Sequence, residues 1–141
     1  MKYALVTGGS RGIGKAICLK LAKDGYFVII NYRANDTEAI NTLRQIEANG
    51  GKGELLKFDV GNFSEVNEIL GKWIEKNSDK HIEVLVNNAG IIKDNLMVFM
   101  PEEDWNSVIS TNLGSFFNVT KLLLQNMLLK KCGKIINIVS L

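Results

Sequence analysis

The stretch that decides the fold is residues 2–14, KYALVTGGSRGIG. Its first half is a short run of residues that favour β-strands, and its second half is a glycine-rich turn. The segment that follows, residues 12–24, carries Ile13, Ile17 and Leu21 at the spacing of one helix face. The chain therefore begins with the pattern of a strand, a glycine loop and a helix.

The same alternation continues to the last residues. Further strands are expected around residues 27–32, 55–58, 84–86 and 134–139, and helices over 36–49, 64–77 and 101–131, the last with a break near Thr111. The strands are apolar on both faces, as in a parallel sheet that helices cover on each side. Five strands alternating with helices indicate right-handed βαβ units. The sequence predicts one doubly wound α/β domain of the Rossmann type over residues 1–141, with strand order 3-2-1-4-5.

Composition and charge exclude several classes of partner. Hydrophobic residues make up 46% of the 141 residues, charged residues make up 23%, and the formal net charge is +2. This balance gives no reason to expect nucleic acid or a membrane surface as a partner. No apolar run reaches the roughly 18 residues that a membrane span needs.

The cysteines and the histidine do not suggest a metal site. Cys18 and Cys132 are far apart in the sequence, and His81 is the only histidine. A metal site would need more ligands close together. We expect no metal, and two reduced thiols as in a cytoplasmic protein.

The glycine loop has the spacing Gly-x-x-x-Gly-x-Gly, with glycines at positions 8, 12 and 14. It lies directly after a strand and opens a helix, which is the context that makes such a motif informative. Glycines allow a sharp turn and let a pyrophosphate approach the backbone amides at the helix N-terminus. A glycine turn that serves packing alone is the alternative, but the context favours a dinucleotide site.

Four spaced motifs resemble those of the short-chain dehydrogenase/reductases. TGGSRGIG at residues 7–14 resembles the cofactor loop of that family, and Asp59-Val60 and NNAG at residues 87–90 follow strands three and four as they do there. STNLGSFF places Asn112 at the family's mid-helix asparagine, and INIVS places Ser140 at its catalytic serine. The resemblance covers all 141 residues in order.

The resemblance implies a set of functional residues. Contacts with a dinucleotide are implied for Gly8, Ser10, Arg11, Gly12, Ile13, Gly14, Asn31, Arg33, Asp59, Val60, Asn87, Ala89 and Gly90. Within this set, Asp59 and Val60 would hold the adenine ring. Ser140 would hydrogen-bond the substrate carbonyl, and Asn112 would support a catalytic lysine through a water molecule.

The residues after strand two favour NADP(H) over NAD(H). An NAD enzyme of this fold usually has an acidic residue there for the ribose 2′-hydroxyl. This chain reads Asn31-Tyr32-Arg33, and the first carboxylate is Asp36. A carboxylate would repel a 2′-phosphate, whereas Arg33, with Arg11 from the glycine loop, could bind one. Either arginine alone could be surface charge, but the pair without the acid favours NADP(H).

The family's proton donor is a tyrosine with a lysine four residues later, and both belong beyond Ser140. Tyr3, Tyr26 and Tyr32 cannot substitute, because none has a lysine four residues on. The run at 134–139 would also leave an apolar edge strand unpaired, which intact proteins avoid. We therefore expect the chain to be the N-terminal portion of a longer protein, without its catalytic tyrosine, its catalytic lysine or its C-terminal strands.

The segments Lys93-Asp94-Asn95-Leu96 and Glu103-Asp104-Trp105 most resemble 3-oxoacyl-(acyl-carrier-protein) reductases. This implies NADPH-dependent reduction of a 3-oxoacyl thioester to the 3-hydroxyacyl form in fatty acid synthesis. One alternative is a short-chain reductase of another small carbonyl, such as acetoacetyl-CoA, a sugar or a polyketide. Another is a truncated, non-catalytic NADP-binding module.

Two further features concern partners. Lys130 and Lys131 lie where such reductases meet the acidic acyl carrier protein, although lysines in a last helical turn also stabilise the helix dipole. Residues 113–129 are apolar on more than one face, so the helix must bury a second face. In this family the partner is the same helix of another subunit, which implies a homodimer or homotetramer; thick packing within a monomer is the alternative. Trp73 and Trp105 are expected to pack in the core or between helices.

Overall fold

A computed structural model describes residues 1–139; Ser140, the predicted catalytic serine, and Leu141 lie outside the described residues. The strands are β1 (Lys2–Val6), β2 (Tyr26–Tyr32), β3 (Lys52–Lys57), β4 (Ile82–Asn87) and β5 (Lys134–Asn137). The helices are α1 (Gly12–Lys23), α2 (Asp36–Ala48), α3 (Phe63–Lys76), α4 (Glu102–Ile109) and α5 (Ser115–Lys130). A short 3-10 helix covers Met97–Phe99, and a π-helical turn, Ser110–Gly114, joins α4 to α5.

The five strands form one parallel sheet in the order β3-β2-β1-β4-β5, which confirms the predicted fold and strand order. Leu5 in the central strand pairs with Ile29 on one side and Leu85 on the other. Because all strands run in the same direction, their carboxyl ends meet at one edge. Ligands of doubly wound folds bind at that edge.

The core lies on both faces of the sheet, as the apolar strands predict. Alternate residues of β1 face opposite sides: Leu5 packs with Leu70 and Val119 on the α3 and α5 side, while Val6 packs with Cys18 on the α1 and α2 side. The buried residues of α1 are Gly14, Cys18 and Ala22. Each follows directly after a residue of the predicted apolar face (Ile13, Ile17 and Leu21), and Ile13 itself is exposed.

The two tryptophans have different environments. Trp73 is buried in the core, and its indole Nε1 donates a hydrogen bond to Glu54 Oε1 at 2.6 Å. Trp105 is 48% exposed, so the prediction that it packs in the core is wrong; it lines a small cavity with Met97 of the 3-10 helix. None of the residues of α4 is buried.

The long helical region from residue 101 onward does not break at Thr111 but continues through the π-helical turn. Such a turn adds one residue to the helix and rotates the side chains that follow. Val119, Leu123 and Met127 of α5 are buried, while Phe117 and Leu128 are more than 60% exposed. The second apolar face that the sequence indicates is therefore present at the surface.

Strand β5 lies at the end of the sheet and is shorter than predicted, four residues rather than six. It pairs with β4, and Ile135 and Ile136 are 38% and 47% exposed. Among residues 1–139, no helix is long and apolar enough to cross a membrane. The same residues contain no group of three or more side chains that could hold a metal ion.

Candidate functional site

A cavity of about 430 Å³ opens at the carboxyl ends of β1, β2, β3 and β4. Every predicted dinucleotide contact except Asn87 lines it: Gly8, Ser10, Arg11, Gly12, Ile13, Gly14, Asn31, Arg33, Asp59, Val60, Ala89 and Gly90. Residues that the sequence did not single out complete the wall: Tyr32, Ala34, Asn35, Phe58, Asn88, Ile91 and Thr111. The topology thus brings residues from widely separated motifs to one concave surface.

The glycine loop has a backbone that other residues could not easily adopt. Gly8 and Gly12 have φ angles of +64° and +55°, in the left-handed region. A Cβ on Gly14 would lie 2.1 Å from the carbonyl oxygen of Gly8 and 2.5 Å from Nδ2 of Asn88, so no side chain fits there. A Cβ on Gly12 would meet no atom within 4 Å and would point into open space instead. The loop is thus closely packed at Gly14 and open at Gly12.

Helix α1 begins at the floor of this cavity. Its N-cap residue, Arg11, makes no side-chain capping bond with any described residue, and the first turn contains no acidic side chain. The first amides of a helix lack intrahelical acceptors, and the helix dipole is positive at this end. The loop therefore presents backbone donors and partial positive charge, which suits a phosphate group.

Asn31 holds the glycine loop to the sheet. It is 1% exposed; its Oδ1 accepts from the amide of Gly8 at 3.3 Å, and its Nδ2 donates to the carbonyls of Phe58 at 3.0 Å and Leu56 at 3.3 Å. Both N–H groups of the Asn31 side-chain amide and one of the two lone pairs on Oδ1 are therefore engaged. Asn31 lies in the cavity wall, but its side chain binds backbone groups of the protein.

Thr7 and Asn88, which the sequence analysis missed, join the ends of β1 and β4. The Thr7 hydroxyl accepts hydrogen bonds from the amides of Asn88 at 2.9 Å and Ala89 at 3.0 Å. Asn88 Nδ2 donates to the carbonyls of Thr7 at 3.1 Å and Gly8 at 3.2 Å. Both are polar residues directly after an apolar strand, which is the signal that could have identified them.

Asn87 lies outside the cavity lining. It is 1% exposed, and its Nδ2 donates to Asn137 Oδ1 at 2.9 Å and to Thr120 Oγ1 at 3.3 Å, which links β4 to β5 and α5. Its Oδ1 is buried without a partner among residues 1–139. Neighbouring residues of a strand point to opposite faces, so Asn88 takes the place in the cavity that was predicted for Asn87.

Asn112 lies in the π-helical turn at the rim of the cavity. Its side chain forms a pair of hydrogen bonds with the backbone of Ile91, and its Oδ1 lies 3.3 Å from the position of a Cβ on Gly90. Thr111, next to it, is one of the residues that line the cavity. Single π-helical turns within helices are frequent at functional sites.

The charged side chains of the site are two arginines and one aspartate. Arg33 Nη1 lies 4.0 Å from Asp59 Oδ2, and Asp59 Oδ1 accepts from the amide of Gly61 at 2.8 Å. Arg11 forms no ion pair with any residue between 1 and 139. Both arginines also line an adjoining cavity of about 590 Å³ that reaches Lys93 and Asp104. The entrance to the site is therefore positive on the side of β2 and the glycine loop.

Comparison with known proteins gives consistent results. Residues 2–141 match the short chain dehydrogenase family. The chain is 46% identical over 139 residues to a 3-oxoacyl-(acyl-carrier-protein) reductase of Synechocystis, and 41% identical over 140 residues to one of Staphylococcus epidermidis. Each match covers 99% of this chain. Among solved structures, a metagenomic short-chain oxidoreductase in complex with NADP superimposes with a TM-score of 0.92 at 31% identity.

The matches differ in how much of each relative they cover. The chain spans 56% and 57% of the two reductases, and 62% of the chain in the NADP complex, although 99% of this chain is matched there. The glycine loop, the sheet order and the cavity all lie within the matched region. The chain belongs to the short chain dehydrogenase family.

Proposed function

We propose that this chain is the NADP-binding part of a short-chain oxidoreductase that reduces a 3-oxoacyl thioester, carried on acyl carrier protein, to the 3-hydroxyacyl form. The observation that carries the proposal is the cavity in which the glycine loop, the N-terminus of α1 and two arginines converge. The names of the two reductases, at 46% and 41% identity, support the substrate class.

The cavity fits a dinucleotide by three features. A Cβ on Gly12, the first residue of α1, would meet no atom within 4 Å, so the space beside the helix N-terminus is open to a ligand. The amides of the loop and the dipole of α1 suit a pyrophosphate. Asp59 and Val60 line the same cavity and would hold the adenine ring, as the family resemblance implies.

The arginines support NADP(H) rather than NAD(H). Arg11 and Arg33 share the cavity rim, and a guanidinium can form two parallel hydrogen bonds to a phosphate. The complex of the metagenomic relative contains NADP. When bound, the reduced nicotinamide would supply the hydride for carbonyl reduction.

The residues of this chain would bind and position the reactants. Asn112 would orient the catalytic lysine through a water molecule, and Ser140 would donate a hydrogen bond to the substrate carbonyl. Tyr26 and Tyr32 are poor proton donors: a hydrogen bond to Glu83 raises the pKa of Tyr26, and burial followed by the bond to Asp36 raises the pKa of Tyr32. A general acid at neutral pH needs a pKa shifted downward instead.

Two surfaces of α5 support the proposed partners. Lys130 and Lys131 are exposed at its C-terminal end, where they could meet an acidic carrier protein. Phe117, Leu124 and Leu128 form an exposed apolar strip on the same helix, which could pack against the same helix of a second subunit. Covering such a strip would remove apolar surface from water on assembly.

A titration tests the cofactor assignment. Arg33→Ala is expected to weaken NADP⁺ binding about tenfold, the usual loss for one charge-assisted phosphate contact, and to leave NAD⁺ binding nearly unchanged. Arg44→Ala removes an exposed arginine of α2 that lines neither cavity, and it serves as the matched control. Equal effects of the two substitutions would contradict the assignment.

A turnover assay tests the reaction. The protein expressed from its own gene is mixed with NADPH and an acetoacetyl thioester, and oxidation of the nicotinamide is followed by absorbance. The proposal predicts faster oxidation with the thioester than with free sugars or ketones, and faster oxidation with NADPH than with NADH. Turnover of free carbonyls alone would favour a different reductase, and binding of NADPH without turnover would favour a non-catalytic module.

A further inference from the structure

Asp36, the first carboxylate after β2, is held by two donors from adjacent strands. Tyr32 and Lys57 are the last paired residues of β2 and β3, so the register of the sheet places them side by side. The Tyr32 hydroxyl donates to Asp36 Oδ1 at 2.8 Å, and Lys57 Nζ donates to Oδ1 at 2.9 Å and Oδ2 at 3.1 Å. Both carboxylate oxygens are therefore engaged. We call Tyr32, Asp36 and Lys57 the Asp36 clamp.

We propose that the Asp36 clamp keeps this carboxylate away from the cavity and thereby sets the preference for a dinucleotide with a 2′-phosphate. The inference rests on the proposed function, since it concerns the selectivity of the same cavity. Tyr32 and Lys57 are positioning residues in this account, because they act through Asp36.

Asp36 follows directly after a cavity-lining segment but does not itself line the cavity. The lining runs without a gap from Asn31 to Asn35 and, among the described residues, includes neither Asp36 nor Lys57. If the Asp36 carboxylate were released from the clamp, it would lie one position along the chain from Asn35, which is the last lining residue of this segment. It would repel a doubly negative phosphate and could accept a hydrogen bond from a ribose hydroxyl instead. With Asp36 held, the positive charges at this part of the rim are those of Arg33 and Arg11, and Asp59 lies 4.0 Å from Arg33.

The two donors of the clamp differ in burial: Tyr32 is buried and Lys57 is half exposed. Tyr32 is 9% exposed, so the packing of the sheet fixes its phenol. The Lys57 side chain is 50% exposed, and its ammonium lies 5.8 Å from the centre of the Tyr32 ring, within the range of a cation–π contact. The hydrogen bond from Lys57, followed by that from Tyr32, holds the pKa of Asp36 below its ordinary value. The carboxylate thus remains charged at neutral pH and would act on any nearby phosphate.

Four forms of the 141-residue chain test the clamp: wild type, Lys57→Met, Asp36→Asn and the double variant. Methionine keeps most of the apolar stem of the lysine. The dissociation constants of NADP⁺ and NAD⁺ are measured by calorimetry at one salt concentration, after circular dichroism has confirmed the fold. Lys57→Met is expected to lower the ratio of NADP⁺ to NAD⁺ affinity by about threefold to fivefold, the size of one exposed charge interaction.

The double variant distinguishes release of the Asp36 carboxylate from a direct contact between Lys57 and the phosphate. Without a carboxylate to release, Lys57→Met in the Asp36→Asn background is expected to leave the affinity ratio at the level of Asp36→Asn alone. If Lys57→Met lowers the ratio equally in both backgrounds, the lysine acts on the phosphate itself and the clamp is overturned.

Tyr32→Phe removes only the hydroxyl of a buried ring, and it is expected to shift the ratio in the same direction as Lys57→Met. If the wild-type chain prefers NADP⁺ and neither Lys57→Met nor Tyr32→Phe changes the ratio, the clamp is overturned and the proposed function stands. If the wild-type chain shows no preference or binds neither dinucleotide, the proposed function fails and the clamp fails with it.

Discussion

Asn112 and Ile91 form a closed pair of hydrogen bonds: Asn112 Oδ1 accepts from the Ile91 amide at 2.8 Å, and its Nδ2 donates to the Ile91 carbonyl at 2.9 Å. The pair ties the π-helical turn between α4 and α5 to the loop that follows β4. Gly90 and Thr111, the sequence neighbours of the two residues, both line the main cavity. The Asn112 side chain therefore connects two segments of the cavity wall.

Asn112→Ala is expected to lower the free energy of unfolding by about 1 kcal/mol, because it removes two exposed hydrogen bonds of modest net value. The Ile91 amide, which loses its acceptor, should exchange its hydrogen faster with solvent. Urea denaturation and amide hydrogen exchange measure the two effects. Asn95→Ala removes a single bond to the Phe99 carbonyl in the same loop and is the control. Unchanged exchange at Ile91 in Asn112→Ala would contradict the account.

Gly14→Ala is expected to destabilise the protein by about 1–3 kcal/mol and to weaken dinucleotide binding, because the new methyl group would overlap the carbonyl oxygen of Gly8. Gly71 provides a matched control in α3, since a Cβ there would meet no atom within 4 Å. Gly71→Ala is expected to stabilise the protein by about 0.5–1 kcal/mol through helix propensity. Denaturant unfolding of both variants gives the comparison. A tolerated alanine at position 14 would show that the close approach to Gly8 is not required.

Thr7→Val keeps the shape of the side chain but leaves the amides of Asn88 and Ala89 without their acceptor. An unsatisfied buried group costs about 1–3 kcal/mol, and because these two amides are only partly buried, the free energy of unfolding should fall by up to about that amount. Thr7→Ser retains the hydroxyl and should recover most of the loss. Equal stability of the valine and serine variants would mean that the hydroxyl does not join β1 to β4 in solution.

Burial raises the pKa of Cys18 from 9.0 to about 12, and the thiol donates a hydrogen bond to the Gly9 carbonyl at 3.8 Å. A thiol whose folded pKa is raised contributes its full stability below the unfolded pKa. Above pH 9.0 the unfolded chain ionises first, so the stability should fall by up to about 1.4 kcal/mol per pH unit until the folded pKa is reached.

Cys18→Ala removes this dependence, while every other side chain is the same in both proteins. The difference in unfolding free energy between wild type and Cys18→Ala should therefore shrink as the pH rises above 9.0. Denaturation at a series of pH values measures it. A difference that stays constant with pH would show that the Cys18 thiol ionises equally well in the folded protein.

The sheet and the glycine loop could be predicted because their signals are local. The Val- and Ile-rich runs and the left-handed glycines at 8 and 12 depend on a few neighbouring residues. The sequence could not show that Asn88 rather than Asn87 lines the cavity, because one step along a strand reverses the side-chain direction. The end of β4 in the sheet, where Asn87 pairs with Asn137, decides which asparagine faces which side.

The roles of buried polar side chains also depend on distant contacts. The partners of Asn31 lie 23 to 27 residues away, and only the pairing of β2 with β1 on one side and with β3 on the other brings them together. The π-helical turn is invisible to a search for helical spacing, because one extra residue leaves the pattern on each side intact. Trp105 resembles a core residue by composition alone, yet its short helix buries none of its side chains.

We expect a dinucleotide to bind in the cavity at the carboxyl ends of β1, β2, β3 and β4. A titration of the chain with NADP⁺, followed by amide NMR spectra, tests it most directly. The account predicts shifts of the Gly8, Gly12, Arg33 and Gly90 amides, with no change at Gly51, which lines a separate cavity of about 450 Å³ between α1 and α2. An unchanged spectrum, or shifts centred on Gly51, would contradict it.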